Sequence, residues 1–185
     1  MPFTPFHLGF GVLLLAICPF FDPIALLLGT ILIDLEPLFH LLFSVGQLHG
    51  VFHSVLGVIV LFFPISVISW GSYKLINKWF NYQYKFRWYL SLISSLLGLF
   101  SHILFDAGLY SEMMLFYPFT KQTGFLFGYW DNRISMIALS VMFVVGVIIL
   151  AIRMALKHYM KKKQVTLNSK SEDEKNAVIV SKNGN

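Results

Sequence analysis

The stretch Leu97–Tyr110, LGLFSHILFDAGLY, decides the fold of this chain because it sets two polar side chains inside an apolar segment of helix length. His102 and Asp106 are four residues apart, so on a helix both project from one face, about one turn apart. A carboxylate at the centre of a membrane costs about 2.5 to 3.5 kcal/mol on insertion scales. The pair therefore predicts that other polar groups or a metal ion compensate it.

The composition is that of an integral membrane protein. Of the 185 residues, 57% are hydrophobic and 12% are charged, and the mean hydropathy is +0.71. This predicts an all-α fold, a polytopic transmembrane bundle of about five helices. Cys18 is the only cysteine, which excludes a disulfide framework and a cysteine-rich metal motif. Any metal ion must be held by histidines and carboxylates.

The basic residues indicate the topology. The net charge is +5, and the positive residues cluster between Lys74 and Arg87 and again between Lys157 and Lys163. Both clusters predict cytoplasmic segments, so we expect a cytoplasmic C-terminus and contact with membrane lipid rather than with nucleic acid. We predict a transmembrane domain over residues 1–163. The polar tail over residues 164–185 cannot bury enough apolar area to order itself and is expected to be disordered.

The first two predicted helices are short. Thr4 and Pro5 favour a helix start, and this helix is expected to end at Cys18. A second helix is expected from Pro23 to about Glu36, where Pro37 ends or kinks it. Each would span about 21 to 23 Å, less than the roughly 30 Å hydrocarbon core, so this hairpin is tilted or re-entrant, or lies where the bilayer thins.

Three longer helices complete the prediction, and counting along the chain places the polar residues at one end of the bundle. These helices run from about residue 49 to 73, from 88 to 110 and from 134 to 153. His7 and Asp34 lie nearly the same number of residues either side of the first turn. His53 and Asp106 both lie roughly 27 to 29 Å from the basic loop of the second hairpin. We expect all of them near the non-cytoplasmic face.

Six side chains are candidate metal ligands on this count. Two pairs, His49 with His53 and His102 with Asp106, are spaced so that both members share a helix face if the helix has begun. Four nitrogen and oxygen ligands suffice for one zinc ion, and six can hold a pair of ions that share a carboxylate. Zinc suits this donor set, with manganese or iron as alternatives. The candidates are His7, Asp34, His49, His53, His102 and Asp106.

Four motifs follow one another along the chain: MPFTPFH at residues 1–7, IDLEP at 33–37, LHGVFHS at 48–54 and SHILFD at 101–106. Over about the first 130 residues they resemble the family of small membrane-bound predicted metal-dependent hydrolases, which includes LexA-regulated inner-membrane proteins of bacteria. The resemblance implies a metal site at the six candidates together with Glu36. Many members carry an Arg after the first His of the third motif, where this chain has Gly50. The order of ligands is also similar to part of the set in zinc-dependent phospholipases C.

The functional expectation is a membrane-embedded hydrolase. A metal-activated water would attack a phospholipid or another lipid-linked phosphoester or ester, with Glu36 as the general base. The alternative is a non-enzymatic membrane protein that conducts or binds protons or metal ions through the same side chains. Conduction requires polar groups that continue toward the cytoplasmic face. There, the third and fourth helices offer only serines: Ser66, Ser69, Ser91, Ser94 and Ser95.

Overall fold

The computed structural model describes residues 6–44, 49–80, 85–111, 113–120 and 130–183, with side chains as far as residue 169. Over these residues the chain is helical and contains no strand, which confirms the all-α fold class. The helices are α1 Leu8–Ile17, α2 Pro23–Ile31, α3 Leu35–Phe43, α4 Val55–Phe80, α5 Trp88–Asp106 and α6 Asn132–Asn183. Because α2 and α3 form one apolar span, the predicted count of about five helices is confirmed.

Four of these segments are long and apolar enough to cross a membrane, as expected of an integral membrane protein. They are Pro23–Phe43, Val55–Phe80, Trp88–Asp106 and Asn132–Ser169. The first helix, α1, has 10 residues and is about 15 Å long, which is shorter than the predicted length of about 21 to 23 Å because the helix begins only at Leu8. Thr4 and Pro5, the predicted helix start, lie outside the described residues.

The apolar segment of the second predicted helix continues past Pro37, so the alternative that Pro37 ends the helix is wrong. The interruption of the helix just before Pro37 agrees with the other alternative, a kink. A 3-10 turn, Leu32–Asp34, links α2 to α3, and Pro37 is the third residue of α3. In the first turn of a helix the backbone N–H has no intrahelical partner, so proline removes nothing there. The apolar segment therefore continues to Phe43 and is 21 residues long.

The helix predicted from about residue 49 begins later in the structure. Instead of starting near His49, the chain forms a 3-10 turn at Val51–His53, and α4 begins at Val55. The Ser54 side chain accepts the backbone N–H of Gly57 at 3.1 Å, which is the N-cap pattern. The start of α4 is therefore set by this serine.

Two glycines bring α2 and α5 into backbone contact. A Cβ atom on Gly29 would lie 2.8 Å from the Ser95 carbonyl oxygen, and one on Gly98 would collide with the Leu26 carbonyl oxygen. Small residues at such positions let transmembrane helices pack closely. This contact lies within the buried apolar core, which includes Ala25, Ile33, Val58, Ile65, Leu99 and Ile103.

A buried carboxylate ties three helices together at the start of α2. Asp22 caps α2 by accepting the N–H groups of Ile24 and Ala25 at 3.0 and 3.1 Å. It also accepts the hydroxyls of Ser69 at 2.7 Å and Tyr73 at 3.2 Å, both from α4. Its own N–H donates to Ser94 of α5 at 2.9 Å. The Asp22-Pro23 pair, which indicates a turn in the sequence, is thus also a junction between helices.

The chain divides into two compact units, residues 1–147 and 148–185. The first contains α1 to α5 and the first part of α6. In the second, every described side chain from Ala151 to Ser169 is exposed. The structure continues α6 through Asn183, although disorder is predicted from residue 164. Local backbone hydrogen bonds form this part of the helix, and its assignment as a separate tail stays a prediction.

Candidate metal centre

Four side chains from three segments form a buried cluster, which we call the His/Asp cluster: Asp34, His53, His102 and Asp106. Asp34 ends the 3-10 turn after α2, His53 ends the turn before α4, and the other two lie on the last turns of α5. One nitrogen or oxygen atom from each lies within 4.8 Å of all the others. The cluster therefore joins residues that are far apart in the sequence.

The spacing of these atoms fits a single cation. His102 Nε2 is 3.3 Å from Asp34 Oδ1 and 3.2 Å from Asp106 Oδ2. His53 Nε2 is 3.9 and 3.8 Å from the same two oxygens. Around a tetrahedral zinc with bonds of about 2.0 to 2.2 Å, neighbouring ligand atoms lie about 3.3 to 3.6 Å apart. The four observed distances extend from just below this range to just above it.

The outward-facing nitrogens of the two imidazoles are fixed by hydrogen bonds. His102 Nδ1 lies 2.7 Å from the Thr30 carbonyl oxygen, which can only accept, so this nitrogen carries the proton. His53 Nδ1 lies 2.9 Å from Glu36 Oε2 and donates to that carboxylate. In the neutral form of both rings this arrangement leaves the Nε2 lone pair facing the carboxylates. Metal-ligating histidines in proteins are oriented in this way.

Within the described part of the chain, several buried atoms of the cluster make no hydrogen bond, although carboxylate oxygens lie 3.2 to 3.9 Å from the two Nε2 atoms. They are Nε2 of His53, Nε2 of His102, Oδ2 of Asp34 and Oδ1 of Asp106. Buried polar atoms are normally paired, since an unpaired one costs about 1 to 3 kcal/mol. A cation among the four side chains would satisfy both imidazole nitrogens and compensate both carboxylates. The residues present therefore fit a divalent metal ion.

His7 adjoins the cluster. Its Nε2 lies 3.4 Å from Asp106 Oδ1, and its ring stacks on His102 with centroids 4.0 Å apart. Asp106 thus faces His102 with one oxygen and His7 with the other. Residue counting predicts that His7 and Asp34 lie at the same depth. The position of His7 beside the cluster agrees with this prediction.

His49 lies beside the cluster but is not one of its four members. Its ring is buried, stacks on Tyr110 at 4.0 Å between centroids, and meets the His53 ring edge-on at 5.1 Å. The predicted shared helix face of His49 and His53 requires a helix that has begun by residue 49. Because α4 begins at Val55, the two histidines are brought together by the turn instead.

Glu36 supports the cluster from outside. One of its oxygens, Oε2, accepts from His53 Nδ1 and from the Gly50 N–H at 3.1 Å. A Cβ atom on Gly50 would collide with this carboxylate, so glycine permits the close approach. This geometry gives Glu36 a positioning contact, and its role as a general base stays a prediction.

The electrostatics of the cluster favour a positive charge at its centre. Burial opposes charging of His53, but the carboxylates of Asp34 and Glu36 outweigh this effect and raise the pKa of the His53 imidazole above its ordinary value. A metal ion bound by Nε2 would take the place of this proton, so protons and metal compete for the cluster.

Sequence reasoning missed two parts of this arrangement. The Thr30 carbonyl oxygen orients His102. Because it is a backbone atom, no residue type in the sequence indicates this contact. The sequence indicates only a turn at Asp22, because Ser69 and Tyr73, which donate to its side chain, are 47 and 51 residues away in sequence. Of the connection between the predicted helices 88–110 and 134–153, residues 112 and 121–129 lie outside the described residues.

Comparison of the chain with protein-family models, with curated proteins and with solved structures finds no match.

Proposed function

We propose that the His/Asp cluster binds a divalent metal ion, zinc in the first place and manganese or iron as alternatives. The observation that carries this proposal is the orientation of the two imidazoles: each commits Nδ1 to an oxygen acceptor and turns Nε2 toward two carboxylates. Imidazole and carboxylate ligands suit these metals, whereas Cu(I) prefers sulfur. His7, next to the second oxygen of Asp106, is the candidate ligand for a second ion.

We further propose that the ion serves the hydrolysis of a phospholipid or of another lipid-linked phosphoester or ester. When bound, such an ion supplies Lewis-acid activation of water at neutral pH. His53 and His102 would hold it, and Glu36 would keep His53 in the binding tautomer. The four motifs that resemble the membrane-bound hydrolase family support this proposal, and membership of that family is part of it.

The exposure of the cluster indicates from which side a substrate would arrive. The side chains of Asp34 and Glu36 are 13% and 17% exposed, whereas those of His53, His102 and Asp106 are 3% exposed or less. Four protein ligands fill a tetrahedral zinc, so hydrolysis needs an additional coordination position or the release of one ligand. Asp34, the most exposed of the four, is the ligand best placed to yield such a position.

Conduction of protons or ions is less well supported. Each of three helices carries a fully buried apolar residue between the His/Asp cluster and the junction at Asp22: Leu26 on α2, Val58 on α4 and Leu99 on α5. The backbone contact of Gly29 with Gly98 leaves no room for water between α2 and α5 at that level. The described residues thus favour a site that opens to one side.

A hydrolysis screen of matched histidine variants tests the proposal. Wild type, His102→Ala and the control His40→Ala would be purified in mild detergent, supplied with zinc, and incubated with mixed phospholipids and other lipid esters. We expect products in the mass spectrum for wild type and for His40→Ala, and at least a hundredfold less for His102→Ala. Equal turnover by His102→Ala, or no product from wild type with zinc, manganese or iron, would contradict it.

A further inference from the structure

An apolar cavity lies between α1 and the first half of α6. Its volume is about 300 Å³, and it is lined by Phe6, Leu8, Leu139, Ser140, Phe143 and Val144. Among the described lining residues Ser140 has the one polar side chain, and its hydroxyl donates to the Met136 carbonyl oxygen at 2.7 Å, so it needs no partner in the cavity. A hydrocarbon ligand would leave no polar group of this lining unsatisfied.

The residues around the cavity determine which kind of molecule can occupy it. Phe143 and Val144 are 41% and 55% exposed on a segment of α6 that is long and apolar enough to cross a membrane. An opening on such a surface faces lipid chains, not water. A void of this size would also forfeit dispersion contacts on its walls, so it favours filling by the nearest material of matching polarity. Its volume is at the lower end for ligand pockets, which suits part of one chain and not a whole lipid.

His7 links the cavity lining to the candidate metal centre along the chain. Phe6 and Leu8 line the cavity on either side of His7 in the sequence, and His7 Nε2 lies 3.4 Å from Asp106 Oδ1. From these observations we infer that the cavity between α1 and α6 binds an acyl chain of the lipid whose head group is presented to the His/Asp cluster. The identity of that head group as a substrate rests on the proposed function, whereas the binding of the chain does not.

Photo-crosslinking with a pair of matched variants tests this inference. The full chain would be placed in nanodiscs of phosphatidylcholine doped with phosphatidylcholine that carries a diazirine on one acyl chain. Val144→Phe fills the cavity from α6, and Leu8→Phe fills it from α1. Val147→Phe makes the same change as Val144→Phe at an exposed position of α6 outside the lining. Labelled residues are located by peptide mass spectrometry, and zinc content is measured on the same samples.

We expect wild type and Val147→Phe to be labelled at Leu8 and Phe143. Val144→Phe should reduce the label at both of these residues at least fivefold, and Leu8→Phe should reduce the label at Phe143 by the same factor. Equal labelling of Val144→Phe and Val147→Phe at Phe143 would overturn the inference. Labelling requires no hydrolysis, so it decides this point even if the zinc content or the lipid screen contradicts the proposed function.

Discussion

At the residue scale, the two imidazoles of the cluster differ in how they are held. His102 is fixed by a backbone carbonyl of α2, which substitution cannot remove, whereas His53 is fixed by the Glu36 side chain. His53 is also the more distant of the two from the carboxylates, at 3.8 to 3.9 Å. The metal affinity of the cluster should therefore depend on Glu36 more than on any other residue outside the four ligands.

Glu36→Gln tests this dependence. The amide oxygen can still accept from His53 and Gly50, but the negative charge that supports the imidazole is lost. We expect the affinity for zinc, measured by chelator competition, to fall about 10- to 100-fold, as for other supporting carboxylates. If Glu36 is instead the general base, zinc affinity will stay at the wild-type value and only turnover will fall.

How much of this site the sequence predicts depends on how local each contact is. His102 and Asp106 share a helix face, and residue counting brings His7, Asp34 and His53 to the same level, because helix rise is constant. The position of His53 relative to His49 was not predictable, since the turn before α4 is held by Glu36 and Gly50 across 14 residues. The continuation past Pro37 depends on the 3-10 turn that precedes it.

At the element scale, the contact between α2 and α5 sets the geometry of the cluster. The course of α2 determines the positions of Asp34 and of the Thr30 carbonyl oxygen. The course of α5 determines the positions of His102 and Asp106. The two helices meet backbone to backbone at Gly29 and Gly98, so their separation has little freedom.

Gly29→Ala should disturb this contact. The added Cβ atom would lie 2.8 Å from the Ser95 carbonyl oxygen, which is backbone and cannot move without shifting α5. We expect a lower Tm in detergent and weaker zinc binding. Gly71→Ala on α4 is the matched control: its Cβ atom meets nothing within 4 Å, and alanine favours helix by about 1 kcal/mol. A Tm for Gly29→Ala equal to that of Gly71→Ala would show that the helices are not in close contact.

At the scale of the whole molecule, the distribution of charge predicts how the chain lies in the membrane. The basic residues at the end of α4, in the segment after it and within α6 favour the cytoplasm, so we expect the His/Asp cluster near the other face. The loop between α5 and α6 belongs to that other face in this topology.

Cysteine labelling of intact cells tests the topology. In a Cys18→Ser background, we expect a membrane-impermeant thiol reagent to label Phe119→Cys, whose native side chain is 92% exposed. Lys162→Cys, beyond the predicted last crossing, should be labelled only after lysis. The reverse pattern would move the cluster to the cytoplasmic side without altering its geometry.

The central claim, that the buried His/Asp cluster holds a metal ion, is tested most directly by metal content per chain. Wild type and Asp106→Ala would be purified in mild detergent without chelator, with Asp131→Ala as a folded control at an exposed helix cap. We predict one or two equivalents of zinc, manganese or iron in wild type and Asp131→Ala, and less than a tenth of that in Asp106→Ala. Metal-free wild type that also takes up no added ion, or Asp106→Ala with full metal content, would contradict the account.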